Sequence, residues 1–316
     1  MSSTLHPCGV IFFDKPKGWT SRKAVNHIIH LFAQPNQKNR KQRPKAGHAG
    51  TLDPLATGML PILLGEATRF ASMGLNAEKC YEVSLDLSQQ TDTLDLEGEV
   101  VARFSDVEVS EPELNEVLAK FRGIQQQTPP IFSAIKVDGK RAHALARSGE
   151  HPELAAREIE IKSLELLSFA QDIITLRVLC SKGTYIRSLA RDIGVALGFG
   201  GCVTMLRRIS SGGWPEQMMV SLEELEENKQ ACIIPLQTWL RDLPVVELAE
   251  TEAQRFVQGQ RLVLDVKPVA QVDSEENLHQ VHFAGQMLGT ATIEAKHASS
   301  ILQPQRVLPS AQERLK

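Results

Sequence analysis

The stretch GHAGTLDPLATGMLP, residues 47–61, constrains this chain more than any other. Three glycines and two prolines in fifteen residues rule out a long regular helix. Glycine loses more conformational freedom on folding than any other residue, and proline removes a hydrogen-bond donor and clashes with the turn before it. The segment is therefore expected to be a compact loop of defined shape. Pro54 biases Asp53 before it toward extended backbone. A carboxylate on such a loop, beside His48 and a basic run, is placed to act on a polyanion. The plain alternative is a turn in which Asp53 bonds nearby backbone N–H groups.

A net charge of −3 conceals an uneven distribution. Lys15, Lys17, Arg22, Lys23, Lys38, Arg40, Lys41, Arg43 and Lys45 follow one another with no acidic residue between them. Arg177, Lys182, Arg187, Arg191, Arg207 and Arg208 are accompanied only by Asp192. Local basic surface on a near-neutral protein suits phosphate binding, although either stretch taken alone is equally a solvated charged face. At roughly 150 residues per domain, 316 residues suggest two domains. A chain of this length buries a core without disulfides or metal. Cys8, Cys80, Cys180, Cys202 and Cys232 are scattered and odd in number. That argues against a disulfide framework or zinc site and for a reducing compartment. MSSTLHPCGV lacks the layout of a signal peptide, and no apolar run approaches the ~20 residues of a membrane span. A cytoplasmic protein without membrane contact is expected. Walker, Rossmann, zincin and nucleophile-elbow motifs are all missing, so the chemistry is expected to need no recognisable cofactor or metal.

Apolar spacing gives the elements. Gly9–Phe13 reads as a buried strand closed by residues 14–18. Ser21 is expected to cap a helix carrying Val25, Ile28, Ile29 and Phe32, with a polar loop over 34–50. Ser110 and Glu113 form a capping box, with Pro112 expected at the first helical position, a stripe of Leu114, Val117, Leu118 and Phe121, and Gly123 as its end. Ile174, Leu176, Val178 and Cys180 alternate as one face of a strand. A helix then turns Ile186, Leu189, Ala190, Ile193 and Leu197 inward and stops at Gly198; Ser221 and Glu224 make another box. Without strict βαβ alternation the fold reads as α+β with a largely antiparallel sheet. A boundary falls near 243–250. Beyond it Thr251 is expected to cap a short helix ending at Gly259, and strands over 261–266, 280–283 and 287–293 suggest a small β-rich appendage.

Two further segments carry chemistry. Residues 178–194 run from strand through Ser181-Lys182-Gly183-Thr184 into a helix. If the backbone is still extended at Tyr185, Tyr185 and Arg187 point the same way. The ring offers a stacking face for a base and the guanidinium a permanent charge. The alternatives are a packed tyrosine and a surface pair of Arg187 with Asp192. Tyr81 opens a strand leading to Thr91-Asp92-Thr93-Leu94-Asp95 and either stacks or joins the core. These are the chain's two tyrosines, and both stand beside candidate loops. Residues 127–136, running on to Arg147, suit a projecting arm on nucleic acid or a plain surface loop.

Together these segments resemble the TruB family, the bacterial tRNA pseudouridine(55) synthases. Residues 47–61 resemble its catalytic motif, with Asp53 at the aspartate. FDKPKGWTS (13–21) is similar to its lysine-proline motif, KCYEVSLDLSQQTDTLDLEG (79–98) to its tyrosine motif, and CSKGTYIRSLARDIG (180–194) with Leu206-Arg207-Arg208 to its arginine and leucine motifs. The resemblance is collinear over about residues 8–215. The tail, with Arg255–Gln260 and Pro304–Val307, is similar to the family's PUA-like RNA-binding domain. Three positions depart from the pattern: His143 for tyrosine, Ser88 for glycine and Trp214 for phenylalanine.

The resemblance implies a pseudouridine synthase fold: α+β, with a central mainly antiparallel mixed sheet flanked by helices and loops. It implies a catalytic domain over 1–245, an RNA-binding arm inserted at 125–150, and a PUA-like domain over 246–316. The implied reaction isomerises uridine 55 in the T loop of tRNA, without cofactor or metal, on an extruded base. Asp53, Tyr81 and Arg187 would be catalytic. His48 would insert where the base was, Leu206 would line the pocket, and Lys15 and Pro16 would support the loop. Gly47, Thr51, Tyr185, Lys136, Arg147 and Arg207 complete the expected RNA-binding set. The partner would be the tRNA T stem-loop, met by a monomer, and help in tRNA folding is a further family activity. Two rivals are a non-catalytic RNA-binding protein on the same scaffold and a glycosidase-like enzyme on a small nucleoside. The presence of Asp53, Tyr81 and Arg187 disfavours the first; the basic stretches and the tail disfavour the second.

Overall fold

A computed structural model describes residues 7–34, 43–133, 135–137, 139–150, 152–264, 277–296 and 299–315. Lys38, Arg40 and Lys41 of the first basic stretch, and the side chains of His143 and Arg147, lie outside the described part. No helix among the described residues is long and apolar enough to cross a membrane.

Contacts divide the chain into two compact units. The larger comprises Ile11–Leu63 and Thr68–Cys232. Its elements begin with β1 (Gly9–Lys15), α1 (Ser21–Phe32), β2 (Ala46–His48), β3 (Thr57–Leu64), α2 (Ala71–Asn76), β4 (Lys79–Asp86), β5 (Gln89–Thr91) and β6 (Val100–Arg103). There follow α3 (Glu111–Lys120), β7 (Gly123–Gln127), β8 (Lys136–Val137), β9 (Lys140–Arg141), α4 (Ala142–Arg147), β10 (Arg157–Ala170), β11 (Ile173–Cys180), α5 (Ile186–Ala196), β12 (Cys202–Ser211) and α6 (Leu222–Glu227). Eight strands form one sheet in the order β1-β3-β12-β4-β11-β10-β7, with β2 on β3. β12, β4, β11, β10 and β7 pair antiparallel in turn, while β12 and β3 run parallel. The sheet is mixed and mainly antiparallel, in line with the missing βαβ alternation.

Period-two patterning produces these strands. In β11, Ile174, Leu176, Val178 and Cys180 are buried, while Thr175 and Arg177 between them are half-exposed. The stripe of α5 behaves as expected: Ile186, Leu189, Ala190, Ile193 and Leu197 are all buried, and Gly198 closes the helix with φ +84°. β3 is buried at every position after Thr57, a continuous apolar run fit for a strand covered on both faces.

Four local expectations are corrected. Residues 47–61 are not loop throughout: β2 and β3 take both ends, leaving 49–56 as the connection. Pro61 lies in β3 beyond the two pairs, Thr57 and Gly58, that join it to β12, and its carbonyl accepts from the Ala49 N–H. The cap of α1 is Thr20, whose hydroxyl accepts from the Lys23 N–H at 3.0 Å, and Ser21 is the first helical residue with other work. Pro112 takes the second helical position of α3, after Glu111, while Ser110 caps as expected.

The smaller unit gathers, among the described residues, 7–10, Leu64–Ala67 and those from Ile233 onward. It contains α7 (Leu236–Trp239), β13 (Val245–Glu247), α8 (Glu250–Val257), β14 (Leu262–Leu264), β15 (Leu278–Phe283), β16 (Gln286–Lys296), β17 (Ser299–Val307) and α9 (Pro309–Arg314). Five strands in the order β13-β15-β16-β17-β14 make it β-rich, over a core that includes Ala253, Phe256, Val281, Ala291 and Leu302. Its helix α8 is capped at Ala249, not at Thr251; the Glu252 carboxylate accepts from the Ala249 N–H at 2.9 Å. β13 is too short, and β17 too interrupted by Pro304, to show as apolar periodicity.

Candidate active site

The connection between β2 and β3 is held from several sides. The Ala49 N–H donates to the Pro61 carbonyl at 2.9 Å, and the Gly18 N–H to the Pro54 carbonyl at 2.8 Å. Ser21, buried at the start of α1, uses one hydroxyl twice: it accepts from the Leu52 N–H at 2.8 Å and donates to the Leu52 carbonyl at 3.0 Å. Asp53 is thereby fixed at the residues before and after it.

The Asp53 side chain is 35% exposed, and its carboxylate accepts from Arg187 Nε at 2.8 Å. Among the described residues no backbone N–H donates to that carboxylate, so the plain turn reading does not hold. Arg187, at the first turn of α5, is buried and fully engaged. It also donates to the carbonyls of Thr93 at 2.7 Å and Phe132 at 3.0 Å, and lies 3.6 Å from Asp95 Oδ2. Asp95 is buried in turn; its Oδ1 accepts from the Thr93 hydroxyl at 2.7 Å and the Glu97 N–H at 3.0 Å. One guanidinium thus serves two carboxylates, of which only Asp53 faces solvent. At the rim, partial burial and then the charges of Asp95 and Asp53 push the Glu97 carboxyl above its usual range.

Tyr81 lies on β4, directly opposite Arg208 on β12 and Val178 on β11. It is buried, which pushes its phenol up, and the adjacent Arg208 charge opposes that shift. Leu206 is also buried and, two residues from Arg208 along β12, shares its face of the strand. Lys15 is fully buried at the end of β1, with Nζ donating to the Trp19 carbonyl at 2.7 Å and the Pro16 carbonyl at 3.1 Å. Burial lowers its pKa to about 8, against an opposing pull from Asp53. His48 is half-buried in β2, and burial, then Arg208 and Arg22, lower its affinity for a proton. A neutral imidazole face at that place is suited to stacking.

Other expected residues lie elsewhere. Tyr185 precedes α5 with φ −97° and ψ 109°, so its backbone is extended as anticipated. The helix begins at the next residue, however, and the two side chains part: Arg187 goes to Asp53, while the Arg157 guanidinium stands 4.7 Å over the Tyr185 ring. Asp192 pairs with Arg191, not with Arg187. Thr51 and Lys136 are exposed, and Gly47 and Pro16 are partly so. Arg207 gives both terminal nitrogens to Asp14, at 3.0 and 2.9 Å, and Nε to Glu216 at 3.0 Å. With Arg177 on Glu82 and Glu165, and Arg208 buried, the second basic stretch is largely internal pairing. Exposed cations lie mainly in the first stretch, at Lys17, Arg22, Lys23, Arg43 and Lys45; in the second, Lys182 is exposed, with Nζ donating to Asn76 Oδ1 at 3.3 Å.

Sequence reasoning missed three participants. Asp95 was visible only as the end of a turn-like segment. Ser21 was assigned to the helix cap. Arg208 was counted as surface charge, although alternation along its strand places it on the face of Leu206. Among the described residues no three His, Cys, Asp or Glu side chains converge as a metal-binding group.

Known proteins resemble the chain throughout. Residues 38–186 match the N-terminal domain of TruB family pseudouridylate synthases, and residues 187–243 the C-terminal domain of tRNA pseudouridylate synthase B. The tRNA pseudouridine synthase B of Chromohalobacter salexigens is 39% identical over 281 residues, which is 88% of this chain and 89% of that protein. That of Burkholderia lata is 39% identical over 308 residues, 96% of this chain and 91% of the relative. Among solved structures, one described as a Cbf5-Nop10-Gar1 complex contains a chain that superposes with a TM-score of 0.71 at 25% identity, covering 97% of this chain and 86% of that one.

Proposed function

The chain belongs to the TruB family of pseudouridylate synthases, and from that premise we propose that it converts uridine 55 in the T loop of tRNA to pseudouridine, with Asp53 as the catalytic carboxylate. The observation that carries this reading is the Asp53–Arg187 pair: a solvent-facing carboxylate on a rigid connection, held at 2.8 Å by a buried guanidinium. The reaction breaks the bond from C1′ to N1, turns the uracil, and forms a bond from C1′ to C5. N1 gains a proton and C5 loses one, so no electron donor or acceptor is needed. A paired base is out of reach, so the target must be extruded, at a cost of roughly a few kcal/mol.

An adjacent guanidinium favours the ionised carboxylate, which leaves Asp53 free to act as nucleophile or base. Tyr81 stacks on the extruded uracil, Leu206 closes the pocket, and His48 takes the place the base left. Lys15 and Pro16 brace the loop from behind. Exposed cations at Arg22, Lys23, Arg43, Lys45 and Lys136 meet phosphates, with Gly47, Thr51 and Tyr185 alongside. Residues 125–150 act as an RNA-binding arm, with Arg147 at the end of α4, and residues 246–316 as a PUA-like RNA-binding domain attached to a catalytic domain over 1–245. The protein works in the cytoplasm as a monomer and also assists tRNA folding.

The test is direct. Asp53→Asn is expected to fold and bind tRNA yet form no pseudouridine, while still promoting tRNA folding. Product from that variant at the unmodified rate removes the mechanism. Product on a transcript with cytidine at position 55 removes the assigned position.

A further inference from the structure

Arg208 is 1% exposed, and its planar head reaches three structures at once. Nε donates to the Met59 carbonyl at 2.6 Å and a terminal nitrogen to the Gly50 carbonyl at 3.2 Å. Those carbonyls lie on the two flanks of the segment that carries Asp53. The guanidinium carbon is 6.0 Å from the centre of the Tyr81 ring, which stands opposite Arg208 in the strand pairing. The backbone is equally close: a Cβ on Gly58 would stand 2.3 Å from the Arg208 carbonyl, and Gly58 has φ +93°, so nothing but glycine fits there. Among the described residues no carboxylate pairs with Arg208. An arginine buried without a carboxylate partner carries its charge at a desolvation cost, which a neutral residue of similar shape would avoid. Lys15 and Lys79 are buried nearby as well, so the rear wall of the site is cationic.

We propose that Arg208 is a positioning residue for the isomerisation: its rigid fork ties both flanks of the Asp53 loop to the Tyr81 ring and fixes carboxylate and phenol relative to one another. The inference rests on the synthase reading. A guanidinium is required because its donors lie in a fixed plane and can serve two carbonyls and a phenol together; an ammonium carries the charge without that geometry. Errors of about 1 Å in such a constellation cost on the order of a hundredfold in rate.

Wild-type protein is first tested on a tRNA transcript carrying tritium at uridine C5. Lack of tritium release ends the synthase reading, and the Tyr81 resonance described below, which needs no turnover, then decides by itself whether Arg208 positions the ring. With that activity in hand, Arg208→Met and Arg208→Lys are compared under single-turnover conditions. The expected rate loss is about a hundredfold for Arg208→Met, with tRNA affinity within about threefold and partial return in Arg208→Lys. A spectroscopic readout separates positioning from plain stability. The chain has two tyrosines, so in a Tyr185→Phe background a 13Cζ tyrosine label reports Tyr81 alone. Adding Arg208→Met is expected to move that resonance at neutral pH and to raise its titration midpoint, because the charge that opposes the upward shift is gone. Arg208→Met with a rate within threefold of wild type overturns the proposal, as does a slowed variant whose Tyr81 resonance and midpoint stay put. If Arg208→Met does not fold, Arg208→Lys decides by the same two readouts.

Discussion

Replacing Ser21 by alanine removes one oxygen and two hydrogen bonds, both to Leu52, the residue before Asp53. The site is closed to solvent, so water cannot substitute, and the Leu52 N–H and carbonyl are left orphaned. Each of the two orphaned buried groups costs about 1–3 kcal/mol, which puts the expected destabilisation at about 2–6 kcal/mol. The neighbouring Thr20 supplies the internal control. Its hydroxyl is an ordinary helix cap at the surface, so Thr20→Ala should cost about 1 kcal/mol and leave turnover alone. Urea unfolding gives the two stabilities, and single-turnover tritium release gives the two rates. Ser21→Ala should also slow the chemical step on the order of tenfold or more, because the carboxylate it anchors is free to shift. Should the two variants lose equal stability, or should Ser21→Ala turn over like wild type, the hydroxyl is not an anchor of the Asp53 loop and the reasoning fails.

Other expectations follow from the same geometry. Arg187→Met strands the buried Asp95 carboxylate and two carbonyls, so a loss of about 3–5 kcal/mol is expected; adding Asp95→Asn should restore part of it, and strict additivity in urea unfolding counts against a shared guanidinium. Arg207→Gln should weaken the protein through Asp14 but leave the salt dependence of tRNA binding unchanged, whereas neutralising Arg22, Lys23, Arg43 and Lys45 should flatten it; the slope of log affinity against log salt decides. Lys79 is held at about 8 by burial, with Nζ on the carbonyls of Gly74, Leu75 and Ala77, against about 10.4 in an unfolded chain. Between those values the unfolded state binds more protons, so the stability of wild type relative to Lys79→Met should rise from pH 8 to 10; a flat difference removes the shift.

The strands and helices of the larger unit were legible because one face is buried and the other is not. β11 and α5 show this cleanly, as periods of two and 3.6 residues recorded directly in apolar spacing. Where polar side chains do long-range work, the spacing carries no sign of it. Thr20 and Ser21 are both competent caps by residue type, and the choice between them is made by Leu52, thirty-one residues away. The arginines of 177–208 looked like one basic surface because charge counts ignore partners; Asp14, Asp53, Glu82 and Glu216, from four other segments, absorb most of it. Asp53 itself was legible because glycine and proline declare a fixed backbone. Asp95 was not, since a buried carboxylate and an exposed one are spelled alike.

The grip of Arg208 on Met59 and Gly50 spans 149 and 158 residues, and that of Arg187 on Asp53 spans 134. During synthesis at roughly 5–20 residues per second, the Asp53 segment therefore emerges on the order of 7–30 s before the residues that shape it. For that interval it has its nearby Ser21 anchor and none of its arginines. A nascent chain that ends before residue 208 carries the acid without its setting, so competence arrives abruptly and late, when the twelfth strand slides between the third and the fourth.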